Sequence, residues 1–422
     1  MYKDRYGNAL TTTSQAAADA YDRSLDRLLA GRPEMDAEFL AAIEADPGFA
    51  AAYAGLSRAR QTVGDMAGAQ AAIAQAQTLA GGVTSREASQ IHMLSLMMGG
   101  KGGEALQAVY EHMDRFPRDA VVAQTSSSIY GLIGFSGQPG REAQMLAFLS
   151  RLMPHYGEDW WLMSQYAFAL CETGQLAQAG DMIDRSLALN PDNAHGAHVR
   201  SHVSYEEGDV DSGIAYLKEW LPGYAKTGVM HGHLSWHQAL WMLQTGDVAG
   251  MWALLDDAVT PAAAIGGAPL SVLVDTASLL HRAELAGVTV PQERWVSISE
   301  FAARAFPRTG NAFVDMHVAV SHAMAGDASG ISRIISEPAG PAADLVPGIA
   351  QGFQDMARHD WAAAARHFKN AMADTARIGG SRAQRDLVEH SLLACLMRQG
   401  LRAEAHDLAA LRRPVIADAY AS

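Results

Sequence analysis

"LALNPDNAHGAHVRSHVSYEEGDVDSGIAYLKEWL", residues 187–221, reads as one helical hairpin with its punctuation in place. Pro191 stops one helix, "AHGAHVRSHVSYEE" predicts a second, Gly208 turns the chain, and "DSGIAYLKEWL" predicts a third that runs back. Glycine suits the turn because it enters the left-handed region without a Cβ clash, and proline suits the boundary because it cannot continue the preceding helix. Residues 44–80, "EADPGFAAAYAGLSRARQTVGDMAGAQAAIAQAQTLA", follow the same plan from Pro47.

Outward from these two units, the turn repeats. Gly64, Gly174, Gly208, Gly246 and Gly326 are each followed by a polar residue and then, about four positions on, by a small one. Looser copies start at Gly102, Gly287, His359 and Gly400, and from Gly174 onward the interval is about 33 to 41 residues. That period is the signature of stacked helical hairpins. No convincing strand pattern interrupts it. The expected fold is all-α: a single tetratricopeptide-like (TPR) solenoid over residues 1–422, of roughly nine hairpins, curled, with a polar concave face. The Gly-rich segments at 131–142 and 256–272 are expected to be loops between helices.

Composition agrees and narrows the partners. The chain is 49% hydrophobic and 18% charged, with a formal net charge of −14 and no long run of Lys or Arg, which argues against nucleic acid or an anionic membrane as partner. No apolar run approaches the ~20 residues of a membrane helix and the first residues lack a signal-peptide core, so a cytoplasmic protein is expected. Cys171 and Cys395 lie in apolar helical patterns without a CxxC spacing and are expected to be reduced core residues. The last stretch, "LRRPVIADAYAS", must be covered at the end of the stack, for which a second copy of the chain, a homodimer, is one candidate.

The chemistry-bearing residues sit in the first helices of the hairpins. Counting back from the Gly that closes each unit, His198 lies ten and His202 six before Gly208, His233 thirteen and His237 nine before Gly246, and His317 nine before Gly326. Asp275 and Arg282 precede Gly287, and Asp315 stands two before His317. First helices line the inner face of such a stack, so a common register means a common depth. Residues four apart share a helical face, which makes His198 with His202 and His233 with His237 two pairs on neighbouring helices. Three readings stay open. The pairs, with Asp315 or His317, could hold a divalent metal as cofactor; they could serve as general acid and base; or they could be hydrogen-bonded inter-repeat histidines without a ligand. The HExxH glutamate of zinc proteases is absent. Trp236 and Trp241 are core residues or the aromatic wall of the same pocket, and Tyr166 and Glu172 lie on the preceding first helix, Glu172 so near the turn that capping would also explain it.

Four stretches resemble the tetratricopeptide repeat protein 38 family: "SQYAFALCETGQLAQAGDMIDRSLALNPDNAHGAHVRSHV", "HLSWHQALWMLQTGD", "VDTASLLHRAELAGV" and "GGSRAQRDLVEHSLLAC". The resemblance spans nearly the whole chain, and its most specific parts are the run His233–His237 and the run Gly379–Asp386. It implies that His198, His202, His233, His237, Asp275, His317, Gln384, Arg385 and Asp386 stand on matching positions, with Gly380 and Ser381 in the last motif. One departure is "SSSIYG", where Ser127 and Ser128 replace a His-Asp pair of the family. The family name describes a fold and implies no activity.

In "GGSRAQRD", Ser381 is placed to cap a helix whose first N–H groups could receive an anion, with Arg385 as a bidentate clamp. The alternative is an Arg385–Asp386 pair closing the last repeat. Two functions follow. In the first, the concave pocket binds a small anionic molecule, and could act on it as a hydrolase, lyase or isomerase: His198, His202, His233, His237, Asp315 and His317 catalyse or bind metal, while Trp236, Asp275, Gln384, Arg385, Asp386 and Tyr166 hold substrate. In the second, the groove is a scaffold for a peptide or partner protein.

Overall fold

The turns that punctuate the sequence do two jobs. In the computed structural model, which describes residues 2–420, Gly64, Gly208, Gly246 and Gly326 take φ of 85°, 72°, 81° and 77°, ending the first helix of each hairpin in the left-handed region. The aspartate that follows starts the second helix. Asp65, Asp209, Asp247 and Asp327 accept the backbone N–H of Gly68, Ser212, Gly250 and Gly330 at 2.8, 3.2, 2.9 and 2.9 Å, satisfying donors that a helix start leaves free. His359, in a looser copy, adopts φ of 60° itself, and Asp360 again caps, onto Ala363. The small residue of the motif has a local cause. A Cβ on Gly68 would lie 2.0 Å from Asp65 Oδ2, and one on Gly250 2.3 Å from Asp247 Oδ2, so at these glycines the capping carboxylate fills the space a Cβ would take, while the same cap at Ser212 and Ala363 accommodates a small side chain. Close packing between helices, the reason the spacing suggests, operates one residue further at Gly213, whose Cβ would meet Trp241 Cη2 at 2.5 Å.

The chain forms an all-α TPR-like solenoid of twenty-two helices, with one short ribbon pairing Tyr2–Lys3 and Ala9–Leu10 among the described residues. Helices pack as sequential hairpins, for example Ala194–Glu207 with Val210–Trp220, His231–Gln244 with Val248–Leu254, and Pro269–Leu285 with Gln292–Ala305. Ten regular hairpins and one irregular unit exceed the roughly nine counted from turns. The first addition is Gln15–Ala30 with Ala37–Ala45, which Gly31 closes without the Gly-Asp signal. The second is the irregular unit, where Ala120–Gln124 and a looped segment precede Arg141–Tyr156. That loop crosses the molecule: Phe135 stacks on Tyr130, and both approach Phe313. Of the other expected loop, Leu255–Val259 instead extends the preceding helix as a π-turn, and Pro269 already begins the next helix. Cys171 and Cys395 are buried and free, and none of the described helices is long and apolar enough to cross a membrane.

The concave face is not open. The last first-helix, Arg382–Arg398, lies against both Ala194–Glu207 and Pro269–Leu285, and it is buried nearly all round. Its polar groups are tied in: Arg282 Nη2 donates to Ala383 O at 2.6 Å, His281 Nε2 meets Ser391 Oγ at 2.9 Å, and Gln384 Nε2 donates to Tyr130 OH at 2.5 Å. From the other side Arg141 donates to Ala376 O and Gly380 O. This helix therefore plugs the curl. Gly380, at φ 72°, sits where a Cβ would be 2.2 Å from the Phe313 ring. Gly380→Ala is expected to lower stability by about 1–3 kcal/mol through overpacking and backbone strain, read as a lower urea midpoint with an unchanged slope.

Candidate metal centre

Two adjacent first-helices build the centre. On Ala194–Glu207, His198 and His202 are one turn apart; on His231–Gln244, His233 and His237 are likewise one turn apart. Each pair projects from one face because four residues nearly complete a helical turn. The helices are held side by side through the hairpin, so the pairs meet: one ring nitrogen from each of the four histidines lies within 4.8 Å of every other. All four residues are between 0 and 7% exposed. Phe168 packs on His198 and His202, Trp236 lies parallel to His233 with ring centroids 5.2 Å apart, and Trp241 closes the side of His237.

The nitrogens compete for too few protons. His233 Nδ1 stands 2.8 and 2.9 Å from the two oxygens of Asp275, so it carries the hydrogen and donates, which leaves Nε2 of the neutral ring as a bare lone pair. That lone pair is 3.0 Å from His198 Nε2, which is itself 2.8 Å from His202 Nε2. One imidazole nitrogen holds either a hydrogen or a lone pair. If His198 Nε2 accepts from His202, it faces His233 lone pair to lone pair; if it donates, one hydrogen must be shared by two acceptors. His202 Nδ1 and both nitrogens of His237 have no partner. Burial pushes His198, His202 and His237 well below the usual histidine range, and the neighbouring histidines push His198 further, so these three rings resist taking up the extra protons that would pair their nitrogens. Burial likewise pushes Asp275 upward, with His233 opposing it.

The remaining residues of the expected site disperse. Asp315 turns back to cap its own helix start, accepting Gly310 N–H at 3.1 Å, and burial pushes it up to about 6. His317 donates from Nδ1 to Phe313 O at 2.8 Å, its Nε2 is unpartnered, and burial pushes it down to about 4; neither joins the four histidines. Tyr166 is half-buried against the N-terminal core. Ser381 and Gln384 form a capping box. Arg385 is engaged by Gly380 O and Glu142, while Asp386 pairs with Arg413 and accepts Tyr205 OH at 3.1 Å, so the anticipated Arg385–Asp386 pair is replaced by two longer-range ones. Glu172 does cap, but across 210 residues: it accepts Arg382 N–H at 2.9 Å.

A cavity of about 610 Å³ lies on the outer side of the plug helix, walled by Glu142, Glu172, Arg382, Arg385, Asp386 and Arg413 among others, and none of the four histidines lines it. The single His-lined pocket expected from the sequence is thus resolved into two places, a buried histidine centre and a separate charged cavity. Glu142, Glu206 and Arg413 carry much of that second network; Glu142 and Arg413 follow no repeat register, whereas Glu206 stands two residues before Gly208 as Glu172 stands two before Gly174, a signal that could have found it.

Fold and centre together define a class, an all-α TPR-like solenoid with a buried tetrad of histidines. No protein-family model matches the chain. Among solved structures it is similar to human IFIT1, solved as a dimer with m7Gppp-AAAA, at 14% identity over 97% of this chain and 94% of that one, with a TM-score of 0.46. It is also similar to yeast Tom70, at 12% identity over 97% and 89%, with a TM-score of 0.38.

Proposed function

We propose that the protein is a metal-binding helical-repeat protein whose four-histidine centre holds one divalent transition-metal ion, tying three successive hairpins into one unit. The observation that carries this is the convergence of four buried histidine nitrogens, in which no arrangement of protons gives both contacts of His198 Nε2 a hydrogen bond of their own. A cation turns that conflict into four bonds. Tetrahedral zinc–imidazole bonds of about 2.0–2.1 Å place nitrogens about 3.3 Å apart, so the pairs His198–His202 and His198–His233, at 2.8 and 3.0 Å, would spread by a few tenths of an ångström, while the remaining pairs, all within 4.8 Å, would draw in by up to about 1.5 Å. His233 with Asp275 repeats the carboxylate–histidine arrangement that orients metal ligands and raises their basicity. Four neutral nitrogens and no thiolate favour zinc, nickel or copper over magnesium or calcium.

Four protein ligands fill a tetrahedral ion, which favours a structural or sensing role over hydrolysis, since catalytic zinc keeps one position open. Burial likewise disfavours acid–base work on a substrate. The ion's effect would pass through Asp275 to the Pro269–Leu285 helix, and so to the shape of the solenoid that presents surfaces to partners. Kinship with the tetratricopeptide repeat protein 38 family, suggested by the His233–His237 and Gly379–Asp386 runs, is part of this proposal.

The test is elemental analysis of untagged protein before and after incubation with zinc, nickel and copper. One equivalent per chain is expected, lost in His198→Ala and in His233→Ala while a distant control, His406→Ala, retains it. Failure of wild-type protein to take up any of the three ions at stoichiometric concentration overturns the proposal.

A further inference from the structure

The charged cavity has its own unsatisfied chemistry. Glu172 is 2% exposed and lines the wall; its Oε2 accepts Arg382 N–H, while its Oε1 has no partner. Glu389, further along the plug helix, also lines the cavity with an unpartnered Oε1. These are carboxyl oxygens with no bonded partner, and each becomes an acceptor once its group is ionised. At the rim the complement is found: the guanidinium of Arg382, 32% exposed, makes no hydrogen bond among the described residues and stands 3.6 Å from Glu206, and Arg412 uses Nε on Glu389, leaving its terminal nitrogens free. By contrast all three nitrogens of Arg413 are engaged by Glu206 and Asp386, and both terminal nitrogens of Arg385 by Gly380 O and Glu142. The free groups therefore separate, acceptors inside and donors at the mouth.

We propose that this cavity binds an amino-acid-type zwitterion, with its ammonium on Glu172 and its carboxylate on Arg382 and Arg412. About 610 Å³ lies within the range of small-molecule sites and admits a free amino acid or a short peptide, whose N–H groups Glu389 would accept. An ammonium reaching Glu172 meets a carboxyl that burial pushes up to about 8, with Glu142 and Glu206 adding to the rise and Arg385 and Arg141 opposing it. A carboxyl raised that far favours its protonated form at neutral pH. Binding a cation beside it favours the charged form, so the proton leaves as the ligand enters. The carboxylate clamp that the sequence suggested at Arg385 is placed in this proposal on Arg382 and Arg412, since the terminal nitrogens of Arg385 are held by Gly380 O and Glu142.

The experiment is isothermal titration calorimetry on the full chain with a panel of L-amino acids and dipeptides, each beside its N-acetylated and C-amidated forms, in two buffers of different ionisation heat. Expected are binding by the zwitterions, at least tenfold weaker binding after either capping, and release of up to one proton per ligand at pH 7. Glu172→Gln, whose amide oxygen can still accept Arg382 N–H, should abolish the proton release and weaken binding at least tenfold. Arg382→Ala should weaken free zwitterions but leave C-amidated ligands unchanged, which keeps the test decisive should Glu172→Gln fail to fold. Tighter binding of dipeptides than of amino acids would identify the source as peptide, and the reverse as free amino acid. N-acetylated ligands binding as tightly as free ones, or no binding by any zwitterion at millimolar concentration, overturns the proposal.

Discussion

His237→Leu is expected to make the metal-free protein more stable and to abolish its response to zinc. Both ring nitrogens of His237 are buried without a partner, between Trp236, Trp241 and the other three histidines. A buried polar group left unpaired costs about 1–3 kcal/mol, and an apolar residue of similar size removes that cost. Wild-type protein should gain about 2.7 kcal/mol when free ion reaches a hundred times Kd, seen as a concentration-dependent rise in Tm. The leucine variant should show no rise. Asp275→Asn should sit between them, binding about 10–100-fold more weakly because His233 loses the carboxylate that orients it. Histidines serving only to join repeats would behave in the opposite sense: His237→Leu would lower stability, and zinc would leave the wild-type Tm where it was. The pair of measurements therefore separates a site kept for binding from a site kept for packing.

That contrast bears on what a sequence can disclose. The hairpins are legible because each is written locally: a glycine in the left-handed region, an aspartate cap and a small residue where the carboxylate lies, all within five positions, as at Gly64–Gly68. Half of the histidine centre is local in the same way, since His198 with His202 and His233 with His237 follow from one turn of helix, and the shared register aligns the pairs. Register also brings in Asp275, but by the same logic it brought in His317 and Asp315, which bond instead within their own helix and its start, to Phe313 O and Gly310 N–H. What no period encodes is closure. The plug helix meets Arg141, Glu172 and Tyr130 across more than two hundred residues, and the cavity exists only because of those meetings. Arg385 reads as an anion clamp in the sequence, and Glu142, distant and in no repeat position, takes it instead.

Asp119→Ala is expected to cost the fold about 3–5 kcal/mol, the penalty typical of stranding a buried charge. Asp119 is 2% exposed and gathers the N-terminal hairpins around itself. It takes Arg86 Nη1 at 2.7 Å, His112 Nε2 at 3.1 Å and Gln90 Nε2 at 3.2 Å, and it caps the short helix Ala120–Gln124. Arg86, also buried, has Asp119 as its close carboxylate partner, with Glu87 further off at 3.8 Å, so truncation leaves a guanidinium with no route to water. Asp119→Asn, which preserves the shape and one of the two acceptor oxygens but not the charge, should recover part of the loss. Acid provides an independent reading of the same interaction. Burial pushes the Asp119 carboxyl upward, but Arg86 and His112 outweigh it and hold the group below the usual aspartate value near 3.9. A depressed folded-state pKa gives stability that is present in full above the unfolded value and is lost as pH falls through the folded one. Wild-type stability should therefore decline below about pH 4, and in Asp119→Asn that acid limb should flatten. An equally steep acid limb in both proteins would show that Asp119 is not the carboxylate that holds these hairpins together.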